Sequence, residues 1–222
     1  MSSAPPIENT LNWRLREWFP ELEDKTQKQL HLYYTELIKF NKVVNLISAK
    51  TVPHADVIHF ADSILASRQV RKKTNKFEPL YDIGSGNGFP GLVYSILYVD
   101  QKVILVDSDE RKCEFLKHVA DIVGNQNVQV LNQKIESFAN DSVEQAICRG
   151  FAPLSRALLA LRKIVKIGGQ VFHLKGEEWS MEVSQIPSQL CSAWQPTLDS
   201  TYKLPISDMK LSVVRTERIS GS

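Results

Sequence analysis

Gly84, Gly86 and Gly88 stand at every second position after the apolar run Leu80, Tyr81 and Ile83, in the stretch Tyr81-Asp82-Ile83-Gly84-Ser85-Gly86-Asn87-Gly88-Phe89-Pro90-Gly91. The order reads as strand, tight loop and helix. Glycine reaches positive φ and leaves no side chain where a ligand must lie against the main chain. The spacing departs from the dinucleotide pattern G-x-G-x-x-G at the third glycine, and no Gly-Lys-Ser/Thr follows, so a P-loop is excluded. Pro90 removes a backbone N–H that a pyrophosphate would use at a helix start, which leaves a loop suited to a ligand without phosphate. About 20 residues on, the apolar run from Lys102 to Val106 closes in Asp107, where such folds bind a ribose diol. The competing reading is an ordinary glycine turn and a helix-capping aspartate.

The elements that must position these groups fit within 222 residues of 43% apolar content, enough for a full core in one domain with an extension. A net charge of +2 neither demands nor excludes a nucleic-acid partner. Cys113, Cys148 and Cys191 are odd in number and widely spaced, which supports neither a disulfide framework nor a metal site. No basic segment with an apolar h-region opens the chain, and no apolar run reaches about 18 residues, so a soluble cytoplasmic protein is expected, with no membrane partner.

Residues 1–76 are expected to form a helical extension with a basic linker, and 77–222 an alternating α/β core. The first ten residues read as a mobile leader. Thr26 with Gln29 can form a capping box for a helix of roughly 18 residues carrying Leu30, Tyr33, Leu37 and Val44 at helical spacing. A further helix runs from about His54 to Ser67 and sets His59, Asp62 and Ser63 on one side, either to orient a substrate or to fasten two helices. Arg68, Arg71, Lys72, Lys73 and Lys76 then read as a solvated loop, either a solubilising linker or a phosphate-contacting patch beside the site. From Pro79 strands and helices alternate, which predicts a mostly parallel sheet covered on both faces. Strands are expected at Leu80–Ile83, up to Asp107, Val128–Leu131, Ala146–Cys148 and Gln170–Leu174. Helices are expected after Pro90, from Ser108 to Gly124, over Leu154–Ile167 and near Glu177–Ile186. Thr201–Ile206 and Lys210–Glu217 should form a final antiparallel pair.

In an open α/β sheet, ligands bind outside the carboxyl ends of the strands. Those ends carry the glycine loop, Asp107, Ile135-Glu136, Arg149 and Lys175. Arg149 is a cation able to hold a carboxylate or a phosphate, or to serve as a surface ion pair, and Lys175 has the same readings.

The Asp-x-Gly-x-Gly-x-Gly spacing resembles motif I of the Rossmann-like S-adenosylmethionine-dependent methyltransferases. Further segments narrow the likeness: Asn45-Leu46-Ile47-Ser48, His59-x-x-Asp62-Ser63, the Gly88-Phe89-Pro90-Gly91 ending, Cys148-Arg149-Gly150-Phe151, and Gly168-Gly169 leading to Lys175-Gly176. Together these resemble the bacterial glucose-inhibited division protein B family, the 16S ribosomal RNA guanine-N7 methyltransferases, over most of residues 25–217. Asn87 stands where that family usually has proline, and Cys148-Arg149-Gly150-Phe151 where it usually has Ser-Arg-Ala-Phe. The resemblance implies a Rossmann-like methyltransferase fold with an antiparallel final strand, S-adenosyl-L-methionine as cofactor, and 16S ribosomal RNA or the small ribosomal subunit as partner of a monomer. It implies donor contacts at Gly84, Phe89, Ile135, Glu136 and Arg149, with Asp107 on the ribose. Arg71, Lys72, Lys73 and Lys175 are the RNA candidates. Guanine N7 carries no proton at neutral pH, so no side chain is expected as general base, and no metal. The alternatives are a methyltransferase of another RNA or of a small molecule, a nicotinamide-dependent oxidoreductase, disfavoured by the glycine spacing and the lack of Tyr-x-x-x-Lys, and a non-catalytic RNA- or assembly-binding protein.

Overall fold

Alternation along the strands divides the apolar residues between two faces of one sheet. The computed structural model describes residues 12–221; the leader expected over the first ten lies outside them. Strands β1 (Leu80–Ile83), β2 (Val103–Asp107), β3 (Val128–Asn132), β4 (Val143–Arg149), β5 (Val165–Lys175), β6 (Trp194–Lys203) and β7 (Lys210–Arg218) make a seven-stranded sheet in the order β3-β2-β1-β4-β5-β7-β6. The first five are mutually parallel, and β7 runs antiparallel to both β5 and β6. The chain leaves β1 in one direction to β2 and β3, then returns to the other side of β1 as β4, so the switch point lies between β1 and β4.

Leu80, Leu105, Ile147, Phe172 and Val213 face one hydrophobic cluster, while Ile83, Val106, Cys148, Val171 and Val214 face the other. The first cluster is closed by helices α2 (Asp24–Asn41), α3 (Asp62–Arg71), α4 (Gly91–Leu97) and α5 (Glu110–Ile122), through Tyr33, Leu37, Ile64, Leu92 and Phe115. Residues before and after position 76 therefore share one core. The second cluster is covered by α6 (Leu154–Leu161) and α8 (Ser188–Cys191), through Leu158, Leu161 and Leu190. Short helices α1 (Leu15–Trp18) and α7 (Trp179–Ser184) complete the set. Among the described residues, no helix is long and apolar enough to cross a membrane.

Four local expectations are corrected. The 18-residue α2 starts at Asp24 behind Glu23, without a side-chain cap; Gln29 bonds the Val123 carbonyl (2.6 Å) in place of a capping box. The helix from His54 to Ser67 is a 3₁₀ turn (Val52–His54), a six-residue π-helix (Asp56–Ala61) and α3 in succession. Helix α6 stops at Leu161 instead of Ile167, because Val165 already pairs with Val143 and Gly168, at φ +81°, lies within β5. The outermost strand covers Trp194–Lys203 instead of Thr201–Ile206.

Candidate active site

Two glycines of the loop after β1 sit where no other residue fits. At Gly84 (φ +72°) an added Cβ would lie 2.8 Å from the Phe151 ring, and at Gly88 (φ +95°) 2.6 Å from the Tyr33 hydroxyl. Tyr33 donates to the Asn87 carbonyl (2.5 Å), and the Asn87 side chain donates to the Leu46 carbonyl (2.9 Å). Asn87 thus fastens the loop to the segment after α2 by a hydrogen bond that proline could not make.

The amino end of α4 is taken by the protein's own carboxylate. Fully buried Asp82 accepts from Gly91 N (2.9 Å), its other oxygen has no hydrogen-bond partner, and burial lifts its pKa to about 7. An anionic ligand group would compete with Asp82 there, in keeping with a ligand that lacks phosphate.

Gly84, Asp107, Ile135 and Glu136, from the ends of three strands, line one cavity of about 750 Å³. Asp107 holds its place by accepting from Gly86 N (2.7 Å) and from Asp109 N (2.9 Å), one donor per oxygen. Each oxygen keeps a second acceptor direction for a hydroxyl pair. Ile83 and Val106 give the cavity an apolar wall, while Ser108, Gln133 and Lys134 add polar groups, none of them singled out by the sequence. Gly150 and Phe151 close the side over Gly84; the sequence marked their turn without giving Phe151 a task.

Phe89 and Arg149 stand elsewhere. Phe89 is 2% exposed, and its ring stacks on Tyr33 (5.1 Å) and His59 (5.2 Å) behind the loop, because that apolar ring completes the core under α2. Arg149 turns toward the π-helix. Its Nη1 donates to Asp62 (3.0 Å) and to the Ile58 carbonyl (3.4 Å), its Nη2 lies 3.3 Å from His59 Nδ1, and its guanidinium stacks on Phe89 (5.1 Å). Arginine has no acceptor, so His59 Nδ1 accepts and its proton sits on Nε2, toward Thr51 Oγ1 (3.3 Å). Burial and the Arg149 charge push the His59 pKa down to about 3. Lys175 donates to the Ala152 carbonyl (3.1 Å) and to Glu182 (2.7 Å), which also caps Leu154 N (2.7 Å).

The basic loop is corrected in place. Arg71 bonds Asp100 (2.6 Å) and Gln101 (2.9 Å), just before β2, and Asn75 N bonds Gln145 (2.9 Å) near the start of β4. Arg71, Lys72 and Lys73 therefore lie at the amino end of the sheet, opposite the cavity; α3 runs antiparallel to β1 and delivers them there. His173 is 1% exposed, bonded to Thr216 Oγ1 (2.9 Å) between β5 and β7, with a pKa pushed down to about 3 by burial and the Lys175 charge. Among the described residues, no cluster of His, Cys, Asp or Glu has metal-binding geometry.

Residues 26–199 match the family model described as rRNA small subunit methyltransferase G. The chain is 50% identical over 217 residues to Ribosomal RNA small subunit methyltransferase G 3 of Bdellovibrio bacteriovorus, covering 98% of this chain and 97% of that one. It is 30% identical to Ribosomal RNA small subunit methyltransferase G of Halorhodospira halophila, over 82% of this chain and 85% of that one. In fold it resembles a SAM dependent methyltransferase from Aquifex aeolicus, with a TM-score of 0.55 at 13% identity, covering 82% of this chain and 98% of that one.

Proposed function

This chain belongs to the rRNA small subunit methyltransferase G family, and from that premise we propose that it transfers the methyl group of S-adenosyl-L-methionine to N7 of a guanine in 16S ribosomal RNA. One observation carries the reading: Gly84, Asp107, Ile135 and Glu136 meet in a single cavity, and the helix end that follows the glycine loop is already held by Asp82, which suits a nucleoside donor without phosphates. S-adenosylmethionine supplies an electrophilic methyl on a sulfonium. Asp107 would hold the ribose hydroxyls, the Ile135–Glu136 backbone the adenine, and Gly84 the methionyl part. Phe89 and Arg149 act from behind the glycine loop, the first by packing and the second by charge.

Guanine N7 offers a lone pair and no proton, so the chain's task is alignment and exclusion of water, which can lower a barrier by about 7–11 kcal/mol. The groups best suited to act as bases are engaged elsewhere: His59 with Arg149 and Thr51, Asp62 with Arg149 and Tyr202, His173 with Thr216. We infer further that it acts as a monomer in the cytoplasm, on 16S RNA or on the small subunit. Mass mapping of 16S RNA from a deletion strain tests this. Loss of one N7-methylguanosine, restored by the purified protein on naked RNA or on subunits, is expected; an unchanged methylation map overturns it.

A further inference from the structure

Two segments far apart in sequence, residues 58–62 and Phe89, meet on the Arg149 guanidinium, and a third, at Tyr202, holds the carboxylate that pairs with it. Asp62, the first residue of α3, has a side chain only 8% exposed. Its Oδ2 accepts from Arg149 Nη1 (3.0 Å), and its Oδ1 accepts from the Tyr202 hydroxyl (2.7 Å) near the end of β6. The π-helix before it supplies the Ile58 carbonyl and His59 Nδ1 to the same guanidinium, whose flat face lies on Phe89. Arg149 is followed at once by Gly150 and Phe151, which line the cavity, and Phe89 ends the glycine loop, whose first glycine, Gly84, also lines it. The two oxygens of Asp62 are thus divided between a donor that fixes the carboxylate and a donor that the carboxylate fixes.

We propose that Asp62, locked by Tyr202, is a positioning residue that sets Arg149 and, through it, both walls of the methyl-donor cavity. Ile58, His59 and Tyr202 then act in methyl transfer through Arg149, although none of them lines the cavity. The two-sided grip explains the burial of a carboxylate here. A single partner would leave Oδ1 unpaired or the guanidinium free to rotate about its own bonds, and a charge-assisted bond with fixed direction removes that freedom. This inference rests on the site reading above.

A double-mutant cycle on Asp62 and Arg149 tests it, read by S-adenosylmethionine affinity and by single-turnover rate at saturating donor and RNA. Arg149→Ala and Asp62→Ala are each expected to lower the rate or the donor affinity by about 10- to 100-fold, and the double variant to be no worse than Arg149→Ala alone. Asp62→Asn, which keeps one acceptor oxygen, should recover part of the loss. Asp199→Asn, which weakens the ion pair with Arg215 in the same β6–β7 hairpin, should lower the melting temperature without changing the rate. If Asp62→Ala fails to fold, Tyr202→Phe replaces it, with a loss of about 3- to 10-fold expected in the wild-type background and none on Arg149→Ala. Losses that multiply in the double variant, or a folded Asp62→Ala at full rate, overturn the proposal. A fully active Arg149→Ala overturns it as well, together with the reading that Arg149 acts on the site from behind the glycine loop, while the methylation map of 16S RNA judges the reaction separately.

Discussion

At the scale of single residues, Asp107 joins two tasks that one experiment can part. Its carboxylate holds the glycine loop through Gly86 N and, on the proposed reading, the donor ribose. Asp107→Ala should weaken S-adenosylmethionine binding by roughly 10- to 150-fold, the equivalent of a charge-assisted hydrogen bond of about 1.5–3 kcal/mol. Asp107→Asn keeps one acceptor for Gly86 and should fall between the two. Calorimetric titration on folded variants reads this, and unchanged affinity would remove Asp107 from the site. With no proton to abstract from N7, the single-turnover rate between about pH 6 and 9 should be nearly flat at saturating donor. A tenfold rise per unit from the acid side, lost on replacing His59 or His173, would show a required base and defeat the N7 assignment.

At the scale of elements, the structure separates what periodicity could reveal from what it could not. Asp107 and the strand before it were legible because a buried parallel strand is a continuous apolar run and the polar residue that ends it marks the carboxyl edge. The end of α6 was not, since Ile164, Val165 and Ile167 extend the apolar residues of the helix although β5 already begins at Val165. Strand β6 is an edge, carries Pro196 and a bulge between Leu198 and Ser200, and so lacks clean alternation. Nothing in composition distinguishes a π-helix from an α-helix, yet Asp56–Ala61 is what presents Ile58 and His59 to Arg149. The basic loop shows the same limit, because spacing gives a cluster of charge but not the end of the sheet at which it sits. Arg71, packed on Tyr98 (5.0 Å) and paired with half-exposed Asp100, is bound to its own fold. Arg71→Ala should lower unfolding free energy by about 1 kcal/mol in urea titrations, and Lys72→Ala with Lys73→Ala should leave the salt slope of RNA binding unchanged. A slope flatter by close to one unit per lysine would restore these residues as phosphate contacts.

At the scale of the whole molecule, three buried groups give stability opposing dependences on pH. His59 and His173 are held near a pKa of about 3, below the ordinary value of 6.5, so the unfolded chain takes up their protons first. Their contribution is complete above pH 6.5 and is lost as pH falls toward 3. Asp82 runs the other way. Its folded pKa of about 7 lies above the ordinary 3.8, so the native state takes up that proton first, and its contribution is complete below pH 4 and lost as pH rises through 7. Between about pH 4.5 and 6 the unfolded chain therefore binds two extra protons at the histidines and the native state one at Asp82, a net of one proton favouring unfolding as acid is added. Asp82→Asn keeps an acceptor for Gly91 N but removes the native-state proton. Its stability should then fall faster than wild type by about 1.4 kcal/mol per pH unit across that window, even where the variant starts out more stable near neutrality. Urea denaturation of both proteins at three pH values in the window measures the difference in slope. Parallel lines would mean that Asp82 is ionised throughout, held so by the Arg149 charge that also lowers its pKa, and that the unpartnered oxygen is not the site of a proton.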